Sequence, residues 1–349
     1  MMEVYEYDVT QAPFELHGLV PGEGYTRLPR ALLAQLSPQI GSLALKTSGA
    51  RVRFSTSASR MTFRMRLADT AIKTHMTPLN MAGAEIWQGE GCALRRVAVA
   101  RPTAAGSVPF EKLDGYALEQ EVRCEAQLSG KRETVTLYLP IFEGVEKVEV
   151  GLSDDETPYP PTPYAVTPPI VFYGSSITQG ACAGRPSLIY PAQVCRALDA
   201  DFVNLGFAGN ALGEVELAHY IASLEMTAFV LDYDHNAPTA EHLEKTHWRF
   251  FEIIRSAQPK LPILIISRPR TGRSNELLYE CRQVIERTYQ MTLARGDRFT
   301  AFLDGSSFFP QGQEDDCLQD FTHPNDYGFR LMSGRILSEL RSVLAMSKT

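Results

Sequence analysis

Residues 170–180 read Ile-Val-Phe-Tyr-Gly-Ser-Ser-Ile-Thr-Gln-Gly. Four consecutive apolar residues with no polar alternation describe a strand buried on both faces, the habit of a parallel sheet. The Gly-Ser-Ser that follows ends the strand in a turn, which leaves hydroxyl groups at its carboxyl end. Downstream the same rhythm repeats. A helical pattern runs from about Ser187 to Leu198, and Phe202–Leu205 is a second apolar run, followed by a helix near Glu214–Leu224. Phe229–Leu231 precedes a helix from about Glu241 to Ser256, and Ile263–Ile266 precedes one near Glu276–Leu293. Ala301–Leu303 is a fifth run, before a last helix from about Pro324 to Leu344. Short apolar strands alternating with amphipathic helices predict a flavodoxin-like parallel α/β/α domain over 170–349.

Upstream the period is two. Met61, Phe63, Met65 and Leu67 are separated by Thr62, Arg64 and Arg66, and Val135, Leu137 and Leu139 by Thr136 and Tyr138. One face turns to a core and one to water, so residues 1–156 predict an antiparallel β-sandwich with one short helix near Leu32–Leu36. Between the halves lies TPYPPTPYAVTPP, residues 157–169, with six prolines in thirteen positions. Proline lacks the N–H that ladders and helices use, so this stretch reads as an extended linker and the domain boundary.

The bulk numbers narrow the classes of function. The chain has 349 residues, 44% hydrophobic and 21% charged, with a formal net charge of −7. No Lys/Arg cluster stands out, which argues against nucleic acid. No apolar run reaches the roughly 20 residues that span a bilayer, and no basic-then-apolar leader opens the chain, so no membrane partner is expected. The six cysteines show no CxxC or metal-like spacing. They read as reduced thiols of a cytoplasmic protein, with no metal and no cofactor expected. Self-association is left open.

In a parallel sheet the ligand sits beyond the carboxyl ends of the strands. Four polar segments converge there: Gly174–Gly180, Asn204–Asn210, Asp232–Asn236, and the loop Asp320–Asp326 before the last helix. Their chemistry suits acyl transfer. A serine hydroxyl is a weak nucleophile until a base takes its proton, and histidine titrates in the useful range. Ser176 and His323 fill those parts, and Asp320, three residues before His323, would hold the imidazole tautomer. The N–H groups of Ser176 and Gly209 and the amide of Asn236 would bind a developing oxyanion. Taken singly, each has a plainer reading: Ser176 as a helix cap, Gly209 and Asn236 as turn residues, His323 as a helix-start histidine.

The set resembles the SGNH (GDSL-type) hydrolase family. Gly-Ser-Ser-Ile-Thr-Gln-Gly is similar to its first block, usually Gly-Asp-Ser, and matches the nucleophile to Ser176. Asn-Leu-Gly-Phe-Ala-Gly is similar to the second and matches the oxyanion glycine to Gly209. Asp320-x-x-His323 is similar to the block that carries acid and base. The third block, normally Gly-x-Asn-Asp, reads Asp234-His235-Asn236-Ala237, so only Asn236 matches, and Ser175 stands where many members have aspartate. Some relatives, carbohydrate esterases and an acyltransferase of natural-product assembly among them, carry a jelly-roll domain first. The strand-rich half is similar to that.

The resemblance implies a serine esterase acting on short acyl esters, acetyl on carbohydrate being one. Two rivals stand beside it: an acyltransferase with an alcohol acceptor, and an inert glycan-binding protein. Cys182 and Arg185, just past the nucleophile loop, are candidate pocket residues. Arg268 and Arg270, after the fourth strand, are either substrate contacts or solvated strand-end charges. Asp232, Asp234 and His235 lack the spacing of a ligand set. His219, His242 and His247 fall on helices as surface or packing residues, and Trp87 reads as a core aromatic rather than a sugar platform.

Overall fold

The computed structural model describes residues 5–70, 73, 75–105, 118–270 and 276–346. The side chain of Cys92 lies outside the described residues. The chain divides into two compact units, residues 1–30, 42–164 and 182–187 in the first, and 31–41, 165–181 and 188–349 in the second.

The first unit carries strands β1 (Tyr5–Asp8), β2 (Glu15–His17), β3 (Arg51–Thr56), β4 (Arg60–Leu67), β5 (Ala84–Gln88), β6 (Arg95–Ala100), β7 (Glu121–Gln127), β8 (Glu133–Tyr138) and β9 (Val145–Leu152). They form two antiparallel sheets, ordered β1-β9-β4-β7 and β2-β3-β8-β5-β6, which make the expected sandwich. The alternation read in β4 holds, with Met61, Phe63, Met65 and Leu67 all buried. Its outward arginines pair across the sheet, Arg64 with Glu149 and Arg66 with Glu146, each at 2.8 Å. In β3 the outer face is buried too. Arg53 stacks on the Tyr164 ring, 3.8 Å from its centroid, and Arg51 Nε donates to the Tyr164 hydroxyl at 3.1 Å. The proline-rich stretch is therefore fastened rather than loose, since Tyr159 also pairs with Ser55 through two 2.8 Å backbone bonds. Trp87 is half-buried, edge-on to Tyr138.

Glu143 in this unit is almost fully buried, with Lys46 Nζ 3.3 Å away. Burial pushes its carboxyl up to about 7, against the pull of Lys46. An acid whose folded pKa is raised stabilises fully below its unfolded value, and that contribution is lost as pH rises through the folded value. Glu143→Gln is therefore expected to remove a pH-dependent loss of about 3 kcal/mol between roughly pH 4 and 8. Parallel urea titrations of the variant and wild type at those pH values check it.

Where one short helix was expected near Leu32–Leu36, two stand: α1 (Arg30–Leu33) and α2 (Pro38–Ala44). Pro38 opens the second at a first-turn position, where its missing N–H costs nothing. A third, α3 (Pro78–Ala82), precedes β5.

The second unit alternates as the sequence predicts. Strand β10 (Val166–Gly174) leads to α4 (Ser176–Gln179) and α5 (Tyr190–Leu198), and β11 (Ala200–Gly206) to α6 (Val215–Ser223). Then come β12 (Ala228–Asp232), α7 (Ala240–Ala257), β13 (Ile263–Ile266), α8 (Glu276–Ala294), β14 (Thr300–Leu303) and α9 (Asp326–Met346). All strand pairs are parallel, in the order β11-β10-β12-β13-β14. This is the flavodoxin-like order, and its direction of winding reverses at β10. The crevice at that reversal is where the fold places its ligand.

Candidate active site

Strand β10 delivers Gly174 and Ser175 to a turn, and Ser175 caps the helix that follows, its Oγ accepting from Ile177 N at 3.2 Å. The capping role open to Ser176 thus falls to its neighbour, which leaves the Ser176 hydroxyl free for another partner. That partner is His323: Ser176 Oγ lies 2.9 Å from His323 Nε2. The other ring nitrogen, Nδ1, lies 2.8 Å from Asp320 Oδ2. Asp320 Oδ1 accepts in addition from the backbone N–H groups of Thr322 and His323, both at 2.7 Å. Burial would lift this carboxyl, but the bonds from the His323 ring and from the two backbone groups outweigh it and hold Asp320 below its ordinary range. An ionised Asp320 accepts from Nδ1–H, which leaves Nε2 as the lone-pair side facing Ser176.

The loop that presents these residues is braced. Gln319 N donates to His323 O at 2.8 Å, and Asn325 N to Cys317 O at 2.9 Å. Asn325 Oδ1 caps α9 through Gly328 N at 3.0 Å. A Cβ at Gly328 would come within 2.2 Å of Cys317 O, so glycine there lets α9 close on the loop.

Gly209 follows β11 with φ +71°, a conformation that glycine adopts without penalty. Neither its N–H nor that of Ser176 has a hydrogen bond among the described residues. Asn236 sits in the turn after β12, and its Nδ2 donates to Phe207 O at 3.0 Å. An amide nitrogen carries two protons, so one such bond does not exhaust it. Ser176, Gly209 and Asn236 thus come from the carboxyl ends of three adjacent strands.

The unusual third block has a physical explanation. Asp234, where the family has glycine, is fully buried. Burial raises its carboxyl, and Arg268 offsets this. Arg268, just past β13, gives its backbone N to Asp234 Oδ2 at 3.1 Å and its Nε at 3.3 Å, and its guanidinium also reaches the Asp234 carbonyl. Acid and base together fix the turn that bears Asn236.

The remaining candidates lie as follows. Arg270 pairs with Glu314 at 3.2 Å. Cys182 and Arg185 belong to the strand-rich unit. The buried Cys182 thiol points at the His75 carbonyl at 3.6 Å, with φ +66° at its backbone. Arg185 Nε lies 2.9 Å from Glu85, a fully buried carboxylate that also accepts from Ser187 N at 2.7 Å. His247 is buried, stacked on Tyr233 and bonded to Thr288 at 2.9 Å, as a packing residue. Thr178 and Gln179 carry no signal in the sequence beyond their place two and three residues after Ser176.

The GDSL-like Lipase/Acylhydrolase family matches residues 167–338, and a domain described as the N-terminus of Esterase_SGNH_hydro-type proteins matches 5–157. The chain is a two-domain SGNH hydrolase of the GDSL type. The family makes it an ester-bond hydrolase. Among solved structures, this SGNH hydrolase is similar to a GDSL-like lipase of Bacteroides ovatus, at 23% identity over 98% of each chain with a TM-score of 0.85. It is similar also to a salicylyl-acyltransferase of a tetracycline biosynthetic pathway, at 20% identity over 97% of each chain and a TM-score of 0.78. A family two carbohydrate esterase of Cellvibrio japonicus aligns over 99% of each chain at 13% identity and a TM-score of 0.62. No curated relative matches its sequence. At these identities the likeness to solved structures concerns the fold. Among the described residues no helix is long and apolar enough to cross a membrane.

Proposed function

We propose that this SGNH hydrolase is a serine esterase that cleaves short acyl esters, with acetylated carbohydrate as its substrate class, through an acyl-enzyme on Ser176. The observation that carries the proposal is the relay Ser176 Oγ, His323 Nε2, His323 Nδ1, Asp320 Oδ2, with links of 2.9 and 2.8 Å. His323 takes the hydroxyl proton as Oγ attacks the ester carbonyl. The negative charge that forms on the carbonyl oxygen meets the N–H groups of Ser176 and Gly209 and the Asn236 amide. Collapse breaks the ester bond, and the alcohol leaves with the proton held by His323. Water, deprotonated by His323 in turn, then releases the acid and restores Ser176. The carbohydrate part draws support from the whole-chain likeness to a family two carbohydrate esterase.

Asn236→Ala is expected to lower kcat by about 10²–10³, the loss found when one oxyanion donor is removed. Steady-state kinetics with p-nitrophenyl acetate measure it, and a loss no larger than that of a surface substitution would remove Asn236 from the site. The substrate class is tested with p-nitrophenyl esters of increasing acyl length and with acetylated xylo-oligosaccharides. Acetate is expected to be preferred over octanoate by at least about tenfold in kcat/KM. A preference for octanoate overturns the short-acyl reading, and acyl transfer to an added alcohol in competition with water marks an acyltransferase instead.

A further inference from the structure

A helix of four residues has no stability of its own, because nucleation fixes several dihedrals for a single hydrogen bond. Yet α4 must hold Ser176 Oγ 2.9 Å from a histidine that lies 147 positions away in the chain. Its direction is therefore imposed from outside. Thr178, two residues beyond Ser176 and fully buried, is the point of attachment. Its Oγ1 donates to Asp232 Oδ2 at 3.0 Å, at the end of β12. The Tyr190 hydroxyl, from the first turn of α5, lies 2.9 Å from the same carboxylate oxygen and 3.1 Å from Thr178 Oγ1. The Thr178 carbonyl accepts from Asn204 Nδ2 of β11 at 2.8 Å. Next to it, Gln179 Oε1 accepts from Ala208 N at 2.9 Å, in the loop that bears Gly209.

The closeness is built into the backbone. A Cβ at Gly174 would fall 2.0 Å from Thr178 Oγ1 and 2.3 Å from the Asp232 carbonyl, so glycine is required for the attachment to form. Stability does not explain this cluster. Asp232 is buried beside a second buried acid, Asp234, and burial with that neighbour lifts its carboxyl to about 8. Apolar side chains of similar volume would hold the layer together at least as well as buried polar groups. What hydroxyl and carboxyl groups add is direction, and sites that break a stability rule in this way are where function resides.

We propose that Thr178 is a positioning residue, anchored on Asp232 and Tyr190, that aims the Ser176 hydroxyl at His323. The proposal rests on Ser176 being the nucleophile. Thr178→Val removes the hydroxyl and keeps the shape. Thr178→Ser keeps the hydroxyl. A displacement of the order of 1 Å at a reacting group costs up to about 10²-fold in rate. Accordingly Thr178→Val is expected to lower kcat on p-nitrophenyl acetate by about 10–100-fold with KM within about threefold, and Thr178→Ser to recover kcat to within about threefold. A folded Thr178→Val that turns over within about twofold of wild type overturns the proposal. Should Thr178→Val fail to fold, Tyr190→Phe takes its place: kcat reduced about fivefold or more at unchanged KM supports the anchor, and unchanged kcat overturns it. Wild type that neither turns over esters nor reacts with a serine-directed phosphonate refutes the esterase reading itself. In that event a crystal structure of Thr178→Val decides the anchor, by whether Ser176 Oγ to His323 Nε2 opens beyond about 3.2 Å or stays in hydrogen-bond range.

Discussion

Ser176→Ala and His323→Ala are each expected to lower kcat for ester hydrolysis by about 10⁴ or more, and the double variant to lose little beyond either single one. In the proposed mechanism the two side chains act on one proton. Ser176 Oγ and His323 Nε2 are 2.9 Å apart, so removing either partner removes the same step. Asp320→Asn belongs with them. Its two oxygens take three N–H groups between them, Nδ1–H of His323 and the backbone N–H groups of Thr322 and His323. An amide in its place would favour the tautomer that turns N–H toward Ser176, which leaves no lone pair for the hydroxyl proton. Kinetics on p-nitrophenyl acetate measure all four variants. Losses that multiply in the double variant would mean that the residues do not share a step.

Arg268→Met is expected to destabilise the fold by about 3–5 kcal/mol at pH 8, because it leaves the buried Asp234 carboxylate without its counter-charge. Asp234 would escape by holding a proton. Its raised pKa stabilises the fold below the unfolded carboxylate range and is lost as pH rises through the folded value, so the damage should shrink at pH 4 to 5. Asp234→Asn combined with Arg268→Met should recover much of the loss, since no charge is then stranded. Urea unfolding at both pH values measures these differences. A loss under about 1 kcal/mol at pH 8 would place the pair among exposed ion pairs in its energetics.

The strand–helix alternation of the second unit was legible because a parallel sheet buries both faces of its strands. Ile170–Tyr173 and Ile263–Ile266 could then be read as plain apolar runs. The rim residues were legible for a related reason. In a doubly wound sheet every strand's carboxyl end points to one rim, so the polar segments after β10, β11 and β12 had to converge. The attachments behind them were not. That Thr178 faces Asp232, and Arg268 faces Asp234, depends on which strands are neighbours and on a register that no local pattern encodes. The buried outer face of β3 was hidden likewise. Arg51 and Arg53 alternate as solvent-facing residues do, and Tyr164, which packs on both, lies far along the chain.

The central claim is that Ser176 is the nucleophile, and it is tested most directly by labelling with a serine-directed fluorophosphonate followed by peptide mapping. One adduct is predicted, on Ser176, formed at a rate that falls by about 10³ or more in His323→Ala and absent in Ser176→Ala. Turnover of esters by a protein that takes no label, or a label on any other serine, would contradict it.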